Sequence, residues 1–344
     1  MTQRRQNETN PRARRRPARM ASTGGRAAAA AAMLLCAIGG ARAQNVTVSE
    51  PTGINLGLTS FYDGFGRGAS GFVYLGYWEY AHLNALEDSR GHAIAAFRNP
   101  RVDVELWLNQ FVYLFPGTLL GGHVGLTAIV PLTRFSSHFD TPGPVLRDDG
   151  FGIGDLAIGP VLQYDPIMLN GHPFMSNRFE IDFILPSGKY DRNADINQSS
   201  GYTSINPSWA GTLLFAPRWE LSWRLHYLYN FKNMQPASSD PMMIAGVRDT
   251  QAGQAVWTNF AASYSLASSL HVGINGYYFK QITRSRVNGT HQTGTEQLAL
   301  AVGPGFLWEK SVSDKLFLNV YSQTDVKNQA AGDFAINFHW IHLF

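Results

Sequence analysis

The chain has 344 residues, of which 44% are hydrophobic and 15% charged, with a formal net charge of +3 and a single cysteine, Cys36. With no cysteine beyond Cys36, a disulfide framework is excluded. No stretch after the first 43 residues holds 18 consecutive apolar residues, so helices do not carry this chain through a membrane.

The first elements in chain order are those of export. Arg4, Arg5, Arg12, Arg14, Arg15, Arg16, Arg19 and Arg26 precede a short apolar run from Ala27 to about Gly40. Ala41-Arg42-Ala43 then supplies the small-x-small pattern of a signal-peptidase site. The apolar run is shorter than the roughly 20 residues a spanning helix needs. Residues 1–43 therefore read as a cleaved signal peptide, started at Met1 or at Met20. No twin-Arg motif surrounds the arginines, and Leu35 before Cys36 is too large for a lipobox. The leader holds nine Arg and one acid, Glu8, so the rest has 28 − 9 = 19 basic and 25 − 1 = 24 acidic residues, a net charge of −5. The basic excess thus belongs to the leader and implies no nucleic-acid partner.

Residues 44–70 are rich in glycine and aromatics, notably Phe61–Gly68, and form a candidate lumen plug. From residue 71 onward the recurring signal is an alternation of period two, which places successive side chains on opposite faces of a strand. Twelve strands are expected at about 71–83, 102–114, 122–134, 151–164, 174–185, 205–215, 219–231, 254–266, 270–282, 297–309, 315–326 and 332–344. In the run from Trp219, the residues Trp219, Leu221, Trp223, Leu225, Tyr227, Tyr229 and Phe231 share one face, while Glu220, Ser222, Arg224, His226 and Asn230 share the other. Asp103 and Glu105 alternate with Val104 and Leu106, and Glu180 and Asp182 with Phe179, Ile181 and Phe183. Ala299, Ala301, Gly303 and Gly305 alternate with Leu298, Leu300, Val302 and Phe306.

A soluble β-sandwich also alternates, with its apolar face turned to a core. Strand length near that of a tilted span, aromatics toward both ends of runs and a small or charged minority face favour a membrane barrel. Connections alternate between long segments, such as 191–202 and 236–249, and tight ones at Pro217-Arg218 and Ser268-Ser269. Bacterial barrels have an even strand count, short periplasmic turns and long external loops. The fold class is therefore an all-β transmembrane antiparallel β-barrel of about twelve strands over residues 71–344, in the bacterial outer membrane. It closes because every backbone N–H and C=O in hydrocarbon needs a partner. The short connection near Ala330 breaks the alternation of loop lengths.

Three stretches carry a family resemblance. Gly150-Phe-Gly-Ile-Gly-Asp-Leu-Ala-Ile-Gly-Pro160, Leu185-Pro-Ser-Gly-Lys-Tyr-Asp191 and Ile205-Asn-Pro-Ser-Trp-Ala-Gly211 resemble motifs of the outer-membrane family named for the MetA pathway of phenol degradation. Residues 73–92 are also similar to the start of a related group linked to sphingosine uptake. The resemblance implies a porin-like channel for hydrophobic or aromatic compounds and brings no catalytic residues.

Candidate lumen-lining residues are Asp103, Glu105, Asp155, Glu180, Asp182, Glu220, Arg224 and His226; a structural hydrogen-bonding role is the plainer reading of Asp155, and a mutually satisfied network that of the charges at 103, 105, 180, 182, 220 and 224. Candidates for the membrane girdle and for assembly are Trp219, Trp223, Tyr227, Tyr229, Trp340 and Phe344, the last closing an alternating terminal strand in which His342 departs from the usual apolar residue. The glycines at 150, 152 and 154 lack the spacing and following helix of a nucleotide loop. Ser222 and His226 stand four residues apart on one strand, roughly 13 Å, too far for a hydrogen bond. His339 and His342 fall on opposite faces, so no joint metal site is expected, and no cofactor is expected either. The glycosylation-like triplets at Asn45 and Asn288 are chance matches in a bacterial barrel.

These readings point to an outer-membrane channel or transporter for small hydrophobic or aromatic compounds, not an enzyme. Its expected partners are outer-membrane lipids and the barrel-assembly machinery. Eight-stranded barrels are filled by side chains and sixteen-stranded ones hold water channels, so twelve strands imply a narrow or plugged bore. The alternatives are a phospholipase-like barrel hydrolase, which needs a Ser and a His from adjacent strands, and a purely structural barrel.

Overall fold

A computed structural model describes residues 48–237 and 246–344. The expected signal peptide and the Asn45 triplet lie outside the described residues. Ala43–Phe344 forms one compact unit.

Twelve antiparallel strands make up the wall: β1 (Gly71–Leu83), β2 (Arg98–Leu114), β3 (Gly122–Asp140), β4 (Phe151–Ile153 and Leu156–Tyr164), β5 (His172–Leu185), β6 (Ser204–Ala216), β7 (Trp219–Asn230), β8 (Ala255–Ala267), β9 (Leu270–Gln281), β10 (Leu298–Glu309), β11 (Asp314–Lys327) and β12 (Phe334–Leu343). Each pairs with its neighbours in sequence, and β12 pairs back onto β1 from Val73↔Leu343 to His82↔Phe334, which closes the barrel. Closure leaves no exposed ladder edge. Among the described residues no helix is long and apolar enough to cross a membrane.

Turn chemistry fixes the ends. Asn170-Gly171 and Asn288-Gly289 both place two consecutive residues at positive φ, 52° and 79° in the first and 49° and 78° in the second. That is the type I′ geometry matching the twist of a two-residue hairpin. The tight turns at 217–218 and 268–269 lie at one barrel end, and the long connections 186–203 and 231–254 at the other. The long end is external by the rule for bacterial barrels. There Ala330–Ala331 pairs with Ala85–Leu86, so the short last connection is stitched to the first loop.

Three strands differ from expectation. β2 and β3 run past the predicted limits, to Arg98 and Asp140, and stand above their neighbours at the external end. β4 is interrupted at Gly154-Asp155. Here the Gly154 N–H donates to the Pro131 carbonyl (2.8 Å), and the backbone of Gly188 packs so closely that a Cβ on it would lie 2.6 Å from the Gly154 carbonyl carbon. Two of the motifs carrying the family resemblance thus meet at this break.

Candidate functional site

The interior is built from the inward face of each strand and from the chain that precedes β1. On β7 the odd-numbered residues face outward: Trp219, Leu221, Leu225 and Tyr227 are exposed, while Glu220, Ser222, Arg224, His226 and Asn230 are buried. Trp223 and Tyr229 share the outward face, with partial exposure. Trp340 and Phe344 are exposed, at 37% and 64%. Phe344 packs against Phe72 and His342.

Residues 51–66 run through the space these strands enclose. At the external end the Tyr202 hydroxyl donates to the Ser49 carbonyl (2.7 Å) and Asn230 Nδ2 to Glu50 Oε2 (2.6 Å). Deeper, Asn259 Nδ2 donates to Asn55 Oδ1 (2.8 Å), Gly57 N to Asn259 Oδ1 (2.9 Å), and the Tyr321 hydroxyl to the Gly57 carbonyl (2.7 Å). Toward the periplasmic end, Tyr62 N donates to Glu220 Oε1 (2.9 Å), Gly64 N to Thr212 Oγ1 (2.9 Å) and Ser176 Oγ to the Gly64 carbonyl (2.8 Å). The segment has no ladder of its own, and wall side chains satisfy its backbone, as a buried polar backbone requires. Its apolar residues are anchors. Leu58 joins Val73, Leu75, Leu106 and Leu108; Phe61 joins Ala261, Leu307 and Phe317; Ile54 and Leu56 pack on the cluster holding Trp257 and Tyr277.

Two glycines show why this stretch is glycine-rich. A Cβ at Gly64 would stand 2.5 Å from both the Ser176 carbonyl oxygen and the Thr212 nitrogen. Gly57 sits at φ +79° with the Tyr277 ring 2.7 Å from where a Cβ would be. Both are points where backbone approaches the wall too closely for a side chain.

Asp63 is the electrostatic centre. Its carboxylate receives Arg224 Nε at 2.7 Å and Arg224 Nη2 at 2.6 Å, a bidentate fork, and Arg178 Nη2 at 3.4 Å. Glu180 Oε2 stands 3.8 Å from Arg224 Nη1 and 4.0 Å from Arg178 Nε, and Gln110 Nε2 donates to Glu180 Oε1 (3.0 Å). Glu220 is held by Tyr62 N, by a short bond from Ser222 Oγ and by Ser263 Oγ (2.6 Å). His226 stacks on Trp257 (4.3 Å between centroids) beside Asn206. Asp155 is buried but ties down a loop: it accepts from Gly188 N (3.2 Å), Ser200 N (2.8 Å) and Ser200 Oγ (2.6 Å).

Asp103 and Glu105 correct the expectation for them. On β2 the buried residues are Val102, Leu106, Leu108, Gln110, Val112 and Leu114, so the two acids share the outward face with the exposed Phe111 and Tyr113. Asp103 bonds Tyr80 (2.8 Å) and His82 (2.7 Å) on the outer side of the external rim. In such a barrel the polar face is ordinarily the interior one. That fails here because Leu58 makes the interior apolar on β1 and β2.

The amino-acid pattern does not single out Asp63, Arg178 or Glu79, the last placed opposite Asn337 by strand register. For Asp63 the available signal was a lone acid within the glycine–aromatic run 61–68. A Ser–His pair also went unseen: Ser265 Oγ of β8 lies 2.8 Å from His271 Nδ1 of β9, with Glu309 Oε1 of β10 3.5 Å from His271 Nε2. Tyr62 also reaches His271 Nδ1 (3.3 Å). Ser222, by contrast, bonds Glu220 and Thr212 and not a histidine. His339 is buried between Tyr77 and Phe317, while His342 bonds Asp314 (2.8 Å) on the outside. The described residues show no group of three metal-ligating side chains.

Two cavities bear on this interior. One, of about 40 Å³, lies inside between the segment 52–58 and strands β1–β7, bordered by Leu58, Leu108, Ile129, Glu180, Asp182 and His226. The other, of about 580 Å³, opens among the external loops, lined by Pro186, Tyr190, Tyr202, Phe231, Lys232 and Met234.

A closed twelve-strand barrel with an outward-facing aromatic surface and an interior filled by its own chain is an outer-membrane protein. The family described as "Putative MetA-pathway of phenol degradation" matches residues 83–338, and the chain belongs to that family. No curated protein matches it. Among solved structures it is similar to the COG4313 outer membrane channel from Pseudomonas putida F1, at 13% identity and TM-score 0.68, over 82% of this chain and 98% of that one. Looser likenesses are the transport unit of the autotransporter AIDA-I from Escherichia coli (12% identity, TM-score 0.44, 92% of this chain and 98% of that one) and the TodX monoaromatic hydrocarbon channel (6%, 0.42, 82% and 92%). The first shows the shared fold; the other two carry no further argument.

Proposed function

We propose that this protein is an outer-membrane channel for small hydrophobic or aromatic compounds, closed at rest by residues 51–66. One observation carries the reading: those residues fill the barrel and are latched to its wall by the Asp63–Arg224 fork, and the cavity left beside residues 52–58 measures about 40 Å³. That space suits about three waters. A solute passes only if the segment shifts. A structural barrel needs no such segment bonded mainly through side chains of the wall. The aromatic external cavity is in the size range of small-molecule sites and supplies a capture point ahead of the closed bore.

The test is a tether. Thr59 and Asn259 face each other, with Asn259 Nδ2 2.9 Å from Thr59 Oγ1. A Thr59→Cys/Asn259→Cys variant joined by a short thiol cross-linker should stop uptake of labelled toluene and phenol by cells lacking the native copy, and reductive release should restore it. Uptake that is equal in the tethered and released states would refute the gated-channel reading.

A hydrolase reading has one observation in its favour, the Ser265–His271–Glu309 alignment. Neither cavity described above borders it, and Tyr62 stands against the histidine. With Tyr62 packed against the histidine, the alignment supports structure at the periplasmic mouth better than catalysis.

A further inference from the structure

The external end of the interior segment, residues 49–52, is held without an ion pair. Tyr202 donates to the Ser49 carbonyl, and Thr52 Oγ1 to the Asn197 carbonyl (3.3 Å). Between these two bonds stands Glu50. Its Oε2 accepts from Asn230 Nδ2 (2.6 Å), and its Oε1 is buried with no hydrogen-bond partner. Asn230 is fixed in this orientation. Its Nδ2 also donates to the Gly253 carbonyl (2.8 Å), which can only accept, and its Oδ1 accepts from Ser204 Oγ (2.7 Å). Among the described residues no lysine, arginine or histidine pairs with Glu50. The titratable groups around it are Tyr202 and, sharing that tyrosine's surroundings, Asp155 and Tyr190; none is a cation. Asp155 is itself taken up by Gly188 and Ser200.

A carboxyl shut from water beside one neutral donor is disfavoured as an anion and tolerated as a neutral acid. Desolvation accordingly pushes the Glu50 carboxyl up to about 8, and the bond from Asn230 offsets only part of that rise. At the other end of the segment Asp63 meets two guanidiniums. The two carboxyls thus need different companions, Asp63 a cation and Glu50 a proton. We infer that Glu50 is a proton-operated catch for the external end of the segment, closed while it carries a proton and released when it ionises and turns to water. Released, Glu50 titrates near its ordinary 4.5; seated, it keeps its proton to about 8. Seating is therefore firmest below about pH 4.5, loosens by close to tenfold per pH unit up to about pH 8, and changes little above that. Tyr202, which holds Ser49, also lines the external cavity, so the catch adjoins that opening. The inference rests on the gated-channel reading only for its consequence, an uptake that falls in acid.

The experiment places a nitroxide at Ser49, whose side chain is exposed, in the protein purified from outer membranes into detergent. Cys36→Ser in the full chain keeps the label on position 49 alone. Electron paramagnetic resonance should show an immobile label near pH 4.5, and the ratio of mobile to immobile label should rise at least tenfold by about pH 8. Glu50→Gln keeps an acceptor for Asn230 and cannot ionise, so its label should stay immobile throughout. A ratio that is flat in the native chain, or that still rises in Glu50→Gln, would overturn the catch, as would a Glu50→Gln label mobile at every pH. A ratio that rises as expected while uptake of labelled toluene ignores pH would support the catch and count against the gate alone.

Discussion

The two sides of the barrel interior hold the same segment by different means. From β5 to β7 the wall presents Arg178, Glu180, Asp182, Glu220 and Arg224, and it grips Asp63 and Tyr62 through charge-assisted bonds. From β8 to β11 it presents Asn259, Asn275, Asn319 and Tyr321, and it grips Asn55 and Gly57 through neutral ones. The neutral side also makes space: Ala299, Ala301, Gly303 and Gly305 line β10, and a Cβ at Gly305 would run into the Asn275 amide and then Phe61 (2.8 Å). The contrast teaches that the charged side is a latch and the neutral side a seat. A latch fails when one partner goes, because the other charge is left buried without its closest partner. A seat loses one bond at a time.

Arg224→Leu should therefore have the largest effect. Removing one partner of a buried ion pair costs about 3–5 kcal/mol, and both Arg224 and Asp63 are nearly inaccessible, at 3% and 8% side-chain exposure. The variant should show protease access to residues 51–66 and a lower urea midpoint, and the double variant with Asp63→Leu should recover much of the loss. If the double variant is as damaged as the single one, the latch is not the cause.

Gly64→Ala comes next. Its methyl group meets backbone atoms that cannot rotate away, an overpacking cost of roughly 1–3 kcal/mol. Loss of protection in hydrogen exchange should centre on residues 61–66 and spare the strands. Uniform loss across the wall would mean that the segment and barrel are not separable. Tyr321→Phe should have the smallest effect, about 0.5–1.5 kcal/mol for the single bond to the Gly57 carbonyl. An effect as large as that of Arg224→Leu would erase the distinction between latch and seat.

The wall was legible in the sequence because period two and turn chemistry are local. The runs at 219–231 and 270–282 needed only their own residues, and Asn170-Gly171 announced its hairpin. The inward position of Glu180, Glu220 and Arg224 followed from the aromatic face opposite them. What stayed hidden depends on residues 51–66, which have no period. Asp103 and Glu105 were misplaced because Leu58 turns the interior of β2 apolar, reversing the usual meaning of a polar face. Asp63 gains its partners from β5 and β7, more than 100 positions away, and Ser265 meets His271 only across a register bulge between β8 and β9. The stripe of small residues on β10 was visible, yet the approach of Asn275 and Phe61 to Gly305 was not.

The gate itself is tested most directly by single-channel recording in planar bilayers, comparing the full barrel with one lacking residues 51–66 and shown to be folded by heat-modifiable mobility. The full barrel should stay closed at low voltage, with rare openings, and the deleted one should conduct steadily. Equal, steady conductance in both would mean that the segment does not close the bore.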